Sequence, residues 1–320
     1  VPALWLGALR VLFGLTMAVS MARFIAYDWI DSFFVDPAFH FKYWGFAWVE
    51  PLPRGALHAL FYALFVLASC AALGLFGRAS LFLFVLGFLY LSLLDVTTYL
   101  NHYYLALLLG ALLVLSPAHR ISLSGSPGSV ATVPRFWLVL FRFQMGVVYS
   151  FAGLAKLSGD WLLHAQPLRI WLGSHTDMPV LGPLFTWPHA ALVMSWAGFL
   201  FDSTVIWFLM ARRTRPYAYV AVLVFHTLTR LLFPIGMFPV IMVVGAMVFF
   251  EPDWPARFTK RLFTPKGEQT TWPVPGRATL TSAALFAAVQ LLVPLRFLAY
   301  GGDVRWHEQG WRWFGRGRVR

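Results

Sequence analysis

The sequence predicts an all-α polytopic membrane protein, with about nine transmembrane helices and interfacial or re-entrant segments. Of its 320 residues, 59% are hydrophobic and only 12% are charged, whereas soluble domains carry about 25% charged residues. The mean hydropathy is +0.69, and many apolar runs approach the roughly 20 residues that a helix needs to cross a bilayer. Arginines concentrate in the short segments between those runs, where membrane topology places cations.

The nine apolar runs follow one another along most of the chain. The fourth and eighth runs are short for a straight crossing, so they predict tilted or broken helices. The predicted spans are Ala3–Met21, Ala56–Phe76, Ala79–Thr98, Tyr103–Ser116, Phe136–Leu157, His189–Ala211, Tyr217–Phe233, Phe238–Phe250 and Ala278–Leu298. We therefore assign residues 1–298 to one membrane domain and residues 299–320 to an arginine-rich extramembrane tail.

Two connecting segments are not simple loops. The segment Phe24–Trp48 mixes aromatic rings with charged residues, a composition typical of the membrane interface. The segment Trp161–Trp187 contains three prolines, which predicts that it lies on the membrane or dips into it.

The distribution of cations predicts an N-terminus inside, in the cytoplasm, and a C-terminus outside. This topology places Asn101–His102, Lys156 and the turn Pro234–Met237 together at the outer surface. The protein is expected in the inner or plasma membrane if it is bacterial. The net charge of +12 follows this loop pattern, so the predicted partner is the lipid bilayer and no nucleic acid. The inside loops hold Arg78, Arg120, Arg135, Arg212, Arg213, Arg215, Arg257, Lys260, Arg261, Lys266 and Arg277.

Charged residues inside spans are costly, and they usually form pairs or serve a function. For Asp202, near the middle of its predicted helix, we expect a structural ion pair with Arg142 or Arg230. Asp95 lies two helical turns before His102, so it either orients that histidine or makes a helix-terminal hydrogen bond. The charged residues within the predicted spans are Arg10, Asp95, Arg142, Asp202 and Arg230.

Lys156 lies at the end of a long apolar run in a chain that has only four lysines. Arginine keeps its proton in proteins, whereas a desolvated lysine can release it. Two interpretations stay open: Lys156 is a base in an apolar pocket, or it extends its ammonium to the membrane surface. An ion pair with Asp160 is expected only if the helix continues through Ser158 and Gly159. These two residues favour an interruption of the helix instead.

The cysteine and histidine content limits which disulfides and metal sites the chain can form. Cys70 is the single cysteine, which excludes a disulfide within the chain and a cysteine metal site. The nine histidines show no HExxH spacing, so no metal site is predicted. His226 lies in an apolar helix, where we expect it to form hydrogen bonds within the bundle.

Eight sequence blocks follow one another in order along nearly the whole chain: Leu9–Gly14, Glu50–Pro53, Leu93–Asp95, Asn101–His102, Phe151–Trp161, Phe225–His226, Ile235–Phe238 and Pro252–Pro255. Together they resemble the membrane domain of vitamin K-dependent γ-carboxylases and the wider horizontally transferred transmembrane (HTTM) family. The lysine block and the Asn-His pair are specific in combination.

The resemblance implies an enzyme that oxidises reduced vitamin K or a related quinone to its epoxide with O2. The strong base formed in this way would drive carboxylation, by CO2, of a glutamate in a peptide or protein. The resemblance makes Lys156 the base on the quinone and His102 the residue that assists the carbanion step. A water-poor membrane site would protect both base and carbanion from quenching. The implied quinone and substrate pocket contains Asn101, Tyr149, Ala152, Gly153, His226, Ile235, Gly236 and Met237.

The chain also departs from the animal carboxylases. Ala155 stands where they have a second lysine, which leaves Lys156 as the one candidate base. The large C-terminal β-rich domain is expected to be absent, and residues 303–313 resemble at most its first strand. A non-enzymatic HTTM-family protein in peptide maturation, immunity or transport therefore stays an alternative. A transporter with broken helices ranks last, because no inverted repeat is visible.

Overall fold

The computed structural model describes residues 1–121, 130–258 and 270–295, and every predicted span overlaps one of its helices. The arginine-rich tail, with its strand-like segment, lies outside the described residues, as do Lys260, Arg261 and Lys266. Numbered in chain order among all helices, the longer ones are α1 (Leu4–Ala26), α2 (Arg54–Leu73), α3 (Arg78–Leu94), α4 (Asn101–Leu115), α5 (Arg135–Ala155), α9 (Ala190–Met210), α10 (Arg215–Leu232), α11 (Phe238–Ala246) and α13 (Arg277–Leu295).

Shorter elements connect these helices. Strands β1 (Val130–Thr132) and β2 (Thr270–Thr271) form one short parallel pair. A π-helical segment spans Asp31–Val35, and a 3-10 turn spans Pro117–Arg120. The short helices are α6 (Gly159–Leu162), α7 (Leu168–Gly173), α8 (Gly182–Phe185) and α12 (Trp254–Phe258).

The predicted helical class is confirmed, and five of the described helices are long and apolar enough to cross a membrane: α1, α2, α5, α9 and α13. Helices α3 and α4, and α11 with the turn that follows it, are apolar but shorter. The number of nine spans thus stays a prediction.

Local sequence explains where the helices end. Helix α3 ends at Leu94, four residues before the predicted boundary, because the extended Asp95 accepts a hydrogen bond from the backbone N–H of Thr97. Helix α5 ends at Ala155, and the Ser158 side chain then caps α6 by accepting from the backbone N–H of Trp161. Asp95 and Ser158 both have short polar side chains, which commonly cap helices in this way.

The described chain forms two compact units. The first contains Val1–Phe141 and Phe250–Arg277, and the second contains Arg142–Phe249 and α13 from Ala278 onward. In the first unit α1 packs on α2, α2 on α3 and α3 on α4. The contact of α1 with α2 is close because Gly14 has no side chain: a Cβ there would lie 2.6 Å from the backbone nitrogen of Ala72.

The predicted interfacial segment connects α1 with α2 in the first unit. It exposes Phe39, Trp44 and Trp48 to the surroundings, as membrane-interface aromatics do. The Asp31 carboxylate anchors it, because this group accepts hydrogen bonds from Arg54 at 2.8 Å and His58 at 3.0 Å.

In the second unit, the proline-containing segment folds as α6, α7 and α8 against α9. A small apolar cluster holds it there, with Ala165, Leu168 and Leu172 packed against Ala191 and Leu232. This packing brings the segment that follows Lys156 back onto α9, and it thereby forms one wall of the candidate site.

Candidate functional site

The candidate site is built around Lys156, which lies one residue beyond the end of α5. Its backbone N–H still donates to the carbonyl of Gly153 at 3.0 Å, and the chain then turns into α6. Asp160 consequently lies on a different helix from α5. The interruption expected at Ser158 and Gly159 removes the basis for a helical Lys156–Asp160 pair.

The Lys156 ammonium donates instead to the Asp202 carboxylate, with 2.5 Å between Nζ and Oδ2. It also donates to the carbonyl of Ala152 at 3.2 Å and lies 5.1 Å from the ring centre of Trp161. The Asp202 side chain is 6% exposed and the Lys156 side chain 18% exposed. The charged pair is therefore sheltered on the carboxylate side and partly accessible on the ammonium side.

This pair corrects the partner expected for Asp202. Arg142 lies 14 residues before Lys156 on the same helix, about 21 Å along its axis. There the Arg142 guanidinium donates to the carbonyls of Val248 at 2.8 Å and Phe249 at 3.2 Å. Arg230 is exposed in the last turn of α10, where a cation favours the helix dipole.

Glycines bring α5 and α9 together around the pair. A Cβ on Gly153 would lie 2.6 Å from Ser203 Oγ and 3.0 Å from its backbone nitrogen, so α9 passes directly over this turn of α5. On α9, a Cβ on Gly198 would lie 3.9 Å from Lys156 Cε and 3.7 Å from the Trp161 ring. The lysine stem thus packs against a glycine surface, between the helix and the indole ring.

Trp161 is fixed in place by α9. Its indole N–H donates to the carbonyl of Ser195 at 2.8 Å, and the Ser195 hydroxyl donates back to the carbonyl of Trp161. The tryptophan consequently forms a fixed cover over the Lys156 ammonium, at a distance typical of a cation–π contact.

A second polar pair lies in the core of the same unit. Tyr149 and His226 share a hydrogen bond of 3.1 Å between the phenol oxygen and Nε2, and both residues are buried. Their neighbours are aromatic: Phe201 stacks on Phe225 with 4.0 Å between ring centres, and Phe238 meets the His226 ring at 5.5 Å. Among the described residues, His226 Nδ1 has no hydrogen-bond partner.

Most of the residues predicted for the pocket lie in the second unit, and among them Tyr149 contacts His226. Tyr149, Ala152 and Gly153 lie on the last two turns of α5, and His226 lies on α10. Ile235, Gly236 and Met237 form the turn between α10 and α11, in which Gly236 has a φ of +61° and Met237 is buried.

His102 and Asn101 begin α4 in the first unit, whereas Lys156 belongs to the second. The His102 ring is buried, with its edge against Tyr103 at 4.6 Å between ring centres, and Asn101 is exposed. The cavity expected to unite His102 with Lys156 stays a prediction.

Asp95 makes the helix-terminal hydrogen bond that was one of its two expected roles, and the histidine it contacts is His40. Its carboxylate accepts from the Thr97 backbone at 2.7 Å and hydroxyl at 2.8 Å, and lies 3.2 Å from His40 Nδ1. Sequence reasoning missed His40, because 55 residues separate the two partners. The carboxylate fixes the ring orientation of this nearly buried histidine.

The model of the HTTM domain matches residues 1–254 of the chain. The chain belongs to the HTTM family. No solved structure is similar to it. The matched HTTM region includes both polar pairs of the second unit as well as Asp95 and His102, whereas α13 lies beyond it.

The HTTM chain therefore has two polar pairs in one helical unit, one partly accessible and one buried among aromatic rings. The first is a lysine–carboxylate pair that is partly accessible at the lysine nitrogen, and in the second His226 Nδ1 has no hydrogen-bond partner among the described residues. Within the ranges that the structure describes, no group of three potential metal ligands occurs.

Proposed function

We propose that this HTTM protein is a membrane enzyme that oxidises a reduced quinone, with the Lys156–Asp202 pair as its base. The observation that carries the proposal is the pair itself, a lysine and a carboxylate at the end of an apolar helix. Proton transfer from the ammonium to Asp202 would yield a neutral amine beside a neutral acid. A low-dielectric setting favours such a neutral pair far more than water does, because it penalises separated charges.

The pair changes the expected mechanism in one respect. The sequence suggested a lysine kept neutral by apolar neighbours alone, whereas the structure provides a carboxylate in direct contact. Asp202 stabilises the ammonium, so the amine becomes a base only when this carboxylate takes its proton or when the incoming ligand displaces it. Asp202 is accordingly assigned a role in holding the proton.

The described residues fit a quinone. His226 Nδ1 is a buried polar atom that has no hydrogen-bond partner in the described part of the chain, and the rings beside it suit a flat aromatic head group. The reduced quinone would supply the electrons that reduce O2. In this proposal Tyr149 and His226 orient an oxygen of the reduced quinone, and Lys156 receives the proton that the quinone releases. Carboxylation of a glutamate in a peptide or protein, with His102 assisting, is the further step that the carboxylase resemblance implies.

A second candidate function is a non-enzymatic membrane protein of the same family. The short Lys156–Asp202 contact favours it, because an ion pair between α5 and α9 can serve as a structural brace. The two candidates differ in what they require of the lysine: a brace needs only its charge and reach, while a base needs it to lose a proton.

Replacing Lys156 distinguishes the two candidates. The protein in lipid nanodiscs is incubated without oxygen with reduced vitamin K, oxygen is admitted, and the epoxide is measured. Lys156→Arg keeps the charge and the pair but cannot deprotonate, so we expect it to lose epoxide formation as fully as Lys156→Ala. Lys42→Arg is the matched control, since Lys42 also pairs with a carboxylate, Glu50 at 3.0 Å, and should keep wild-type activity.

Epoxide formation by Lys156→Arg at more than a tenth of the wild-type rate, a barrier change under about 1.4 kcal/mol, would contradict the base. Wild-type protein that forms no epoxide with vitamin K or with a menaquinone would favour the non-enzymatic candidate. Incorporation of labelled CO2 into a glutamate peptide, measured in parallel, tests the carboxylation step separately.

A further inference from the structure

Arg10 is a buried cation whose hydrogen-bonding capacity is mostly unused. The side chain lies in α1 and only 1% of the residue is exposed. One guanidinium nitrogen, Nη1, donates to the carbonyl of Ala118 at 3.3 Å. The other two, Nε and Nη2, have no acceptor among the described residues. Such a group is costly, since a buried guanidinium normally has its charge compensated and its N–H groups paired.

The described surroundings of Arg10 add positive charge and supply no compensating carboxylate. His119, in the turn after α4, interacts electrostatically with Arg10, Arg78 and Arg120. Within the described chain, no salt bridge joins any of these arginines to an acidic side chain. Arg10 contacts this turn directly, and the charges of Arg78 and Arg120 act on the same turn from the first unit.

The end of α2 approaches the guanidinium without satisfying it. A Cβ on Gly74, which has a φ of +78°, would lie 3.0 Å from both Nη1 and Nη2 of Arg10. Two carbonyls in the last turn of α2 already accept backbone hydrogen bonds: that of Ala71 accepts from Gly74, and that of Cys70 accepts from Leu75. Glycine at this position leaves the guanidinium room beside the backbone.

We propose that Arg10, together with Arg78 and Arg120, binds an anion, the phosphate of a lipid headgroup. Two phosphate oxygens can accept from Nε and Nη2, one from each, in the bidentate geometry that guanidinium groups favour. The phosphate charge would compensate the buried arginine, and the exposed Arg78 and Arg120 would add to the attraction.

The position of Arg10 along α1 favours a lipid over a free phosphate ion as the source of the phosphate. Arg10 is six residues after the start of α1, about 9 Å along the axis, and it meets the connection between the apolar helices α2 and α3. Connections of this kind lie at the membrane surface, where lipid phosphates are concentrated. This inference concerns the first unit and is independent of the proposed quinone chemistry.

Native mass spectrometry of the delipidated full chain tests the site with phosphatidylglycerol as the probe. Diacylglycerol with the same acyl chains, which lacks the phosphate, and inorganic phosphate are measured separately. We expect the tightest phosphatidylglycerol site to weaken about ten- to a hundredfold in Arg10→Gln, the effect of losing charge-assisted hydrogen bonds. Arg78→Gln, at an exposed position that should not impair folding, is expected to weaken the same site several-fold.

Arg23→Gln is the matched control, because it removes the same charge from the far end of α1 and should leave that site unchanged. Equal retention of phosphatidylglycerol by the wild type, Arg10→Gln and Arg78→Gln would overturn the proposal, as would equal retention of diacylglycerol. If Arg10→Gln does not fold, the Arg78→Gln result alone decides. Inorganic phosphate that binds at micromolar concentration while the lipid does not would overturn the lipid assignment.

Discussion

Replacing Lys156 and replacing Asp202 should destabilise the protein by unequal amounts. Lys156→Met removes the ammonium and leaves the Asp202 carboxylate, 6% exposed, without its partner. Asp202→Asn leaves the ammonium, which is 18% exposed and keeps its hydrogen bond to Ala152 and its contact with Trp161. The lysine can also move its flexible stem toward the membrane surface. We therefore expect the lysine replacement to be the more damaging.

The magnitudes follow from burial. Removing one partner of a buried pair typically costs about 3–5 kcal/mol, and Asp202 is buried enough for Lys156→Met to fall in that range. For Asp202→Asn we expect about 1–2 kcal/mol, because the remaining cation is partly accessible and the amide still accepts a hydrogen bond. The double variant should be more stable than Lys156→Met alone, since it leaves no charge behind.

The assay is reversible unfolding in mixed micelles, followed by tryptophan fluorescence for the wild type, the two single variants and the double variant. The double-mutant cycle then gives the coupling free energy of the pair, which we expect to exceed about 2 kcal/mol. This account of the pair would be refuted if the losses of unfolding free energy in the two single variants simply add in the double variant. A larger loss for Asp202→Asn than for Lys156→Met would also refute it. The coupling also bears on catalysis, because each ~1.4 kcal/mol that favours the ion pair over the neutral pair reduces the neutral amine tenfold.

Two further predictions concern the helix contact and the interfacial segment. Gly153→Ala places a methyl group 2.6 Å from Ser203 Oγ and should lower the free energy of unfolding by about 1–3 kcal/mol in the same assay. The control Gly173→Ala, whose methyl group meets nothing within 4 Å, should be neutral. The hydrogen bond from His58 lowers the pKa of Asp31 below its usual 3.8. The stability that this carboxylate contributes is therefore fully present above about pH 4, and it is lost as the pH falls through the lowered pKa. The fall in Tm between pH 5 and pH 3 should be smaller in Asp31→Asn; an unchanged fall would exclude this contribution.

The sequence by itself determined the helical class and the approximate helix positions. Runs of apolar residues report helix length directly, since the thickness of a bilayer sets the number of residues. Ser158 and Gly159 likewise predicted the interruption after Lys156, because helix ends depend on residues next to them in the chain. The family membership rests on local blocks of the same kind.

Only the tertiary structure decided which charged residues meet. Lys156 pairs with Asp202 over 46 residues, and Arg10 reaches Ala118 over 108. A helix that is apolar on all sides has no face that its sequence marks as inward. Its rotation is therefore set by glycine contacts such as Gly153 against Ser203, and this packing selects the partner of each buried charge.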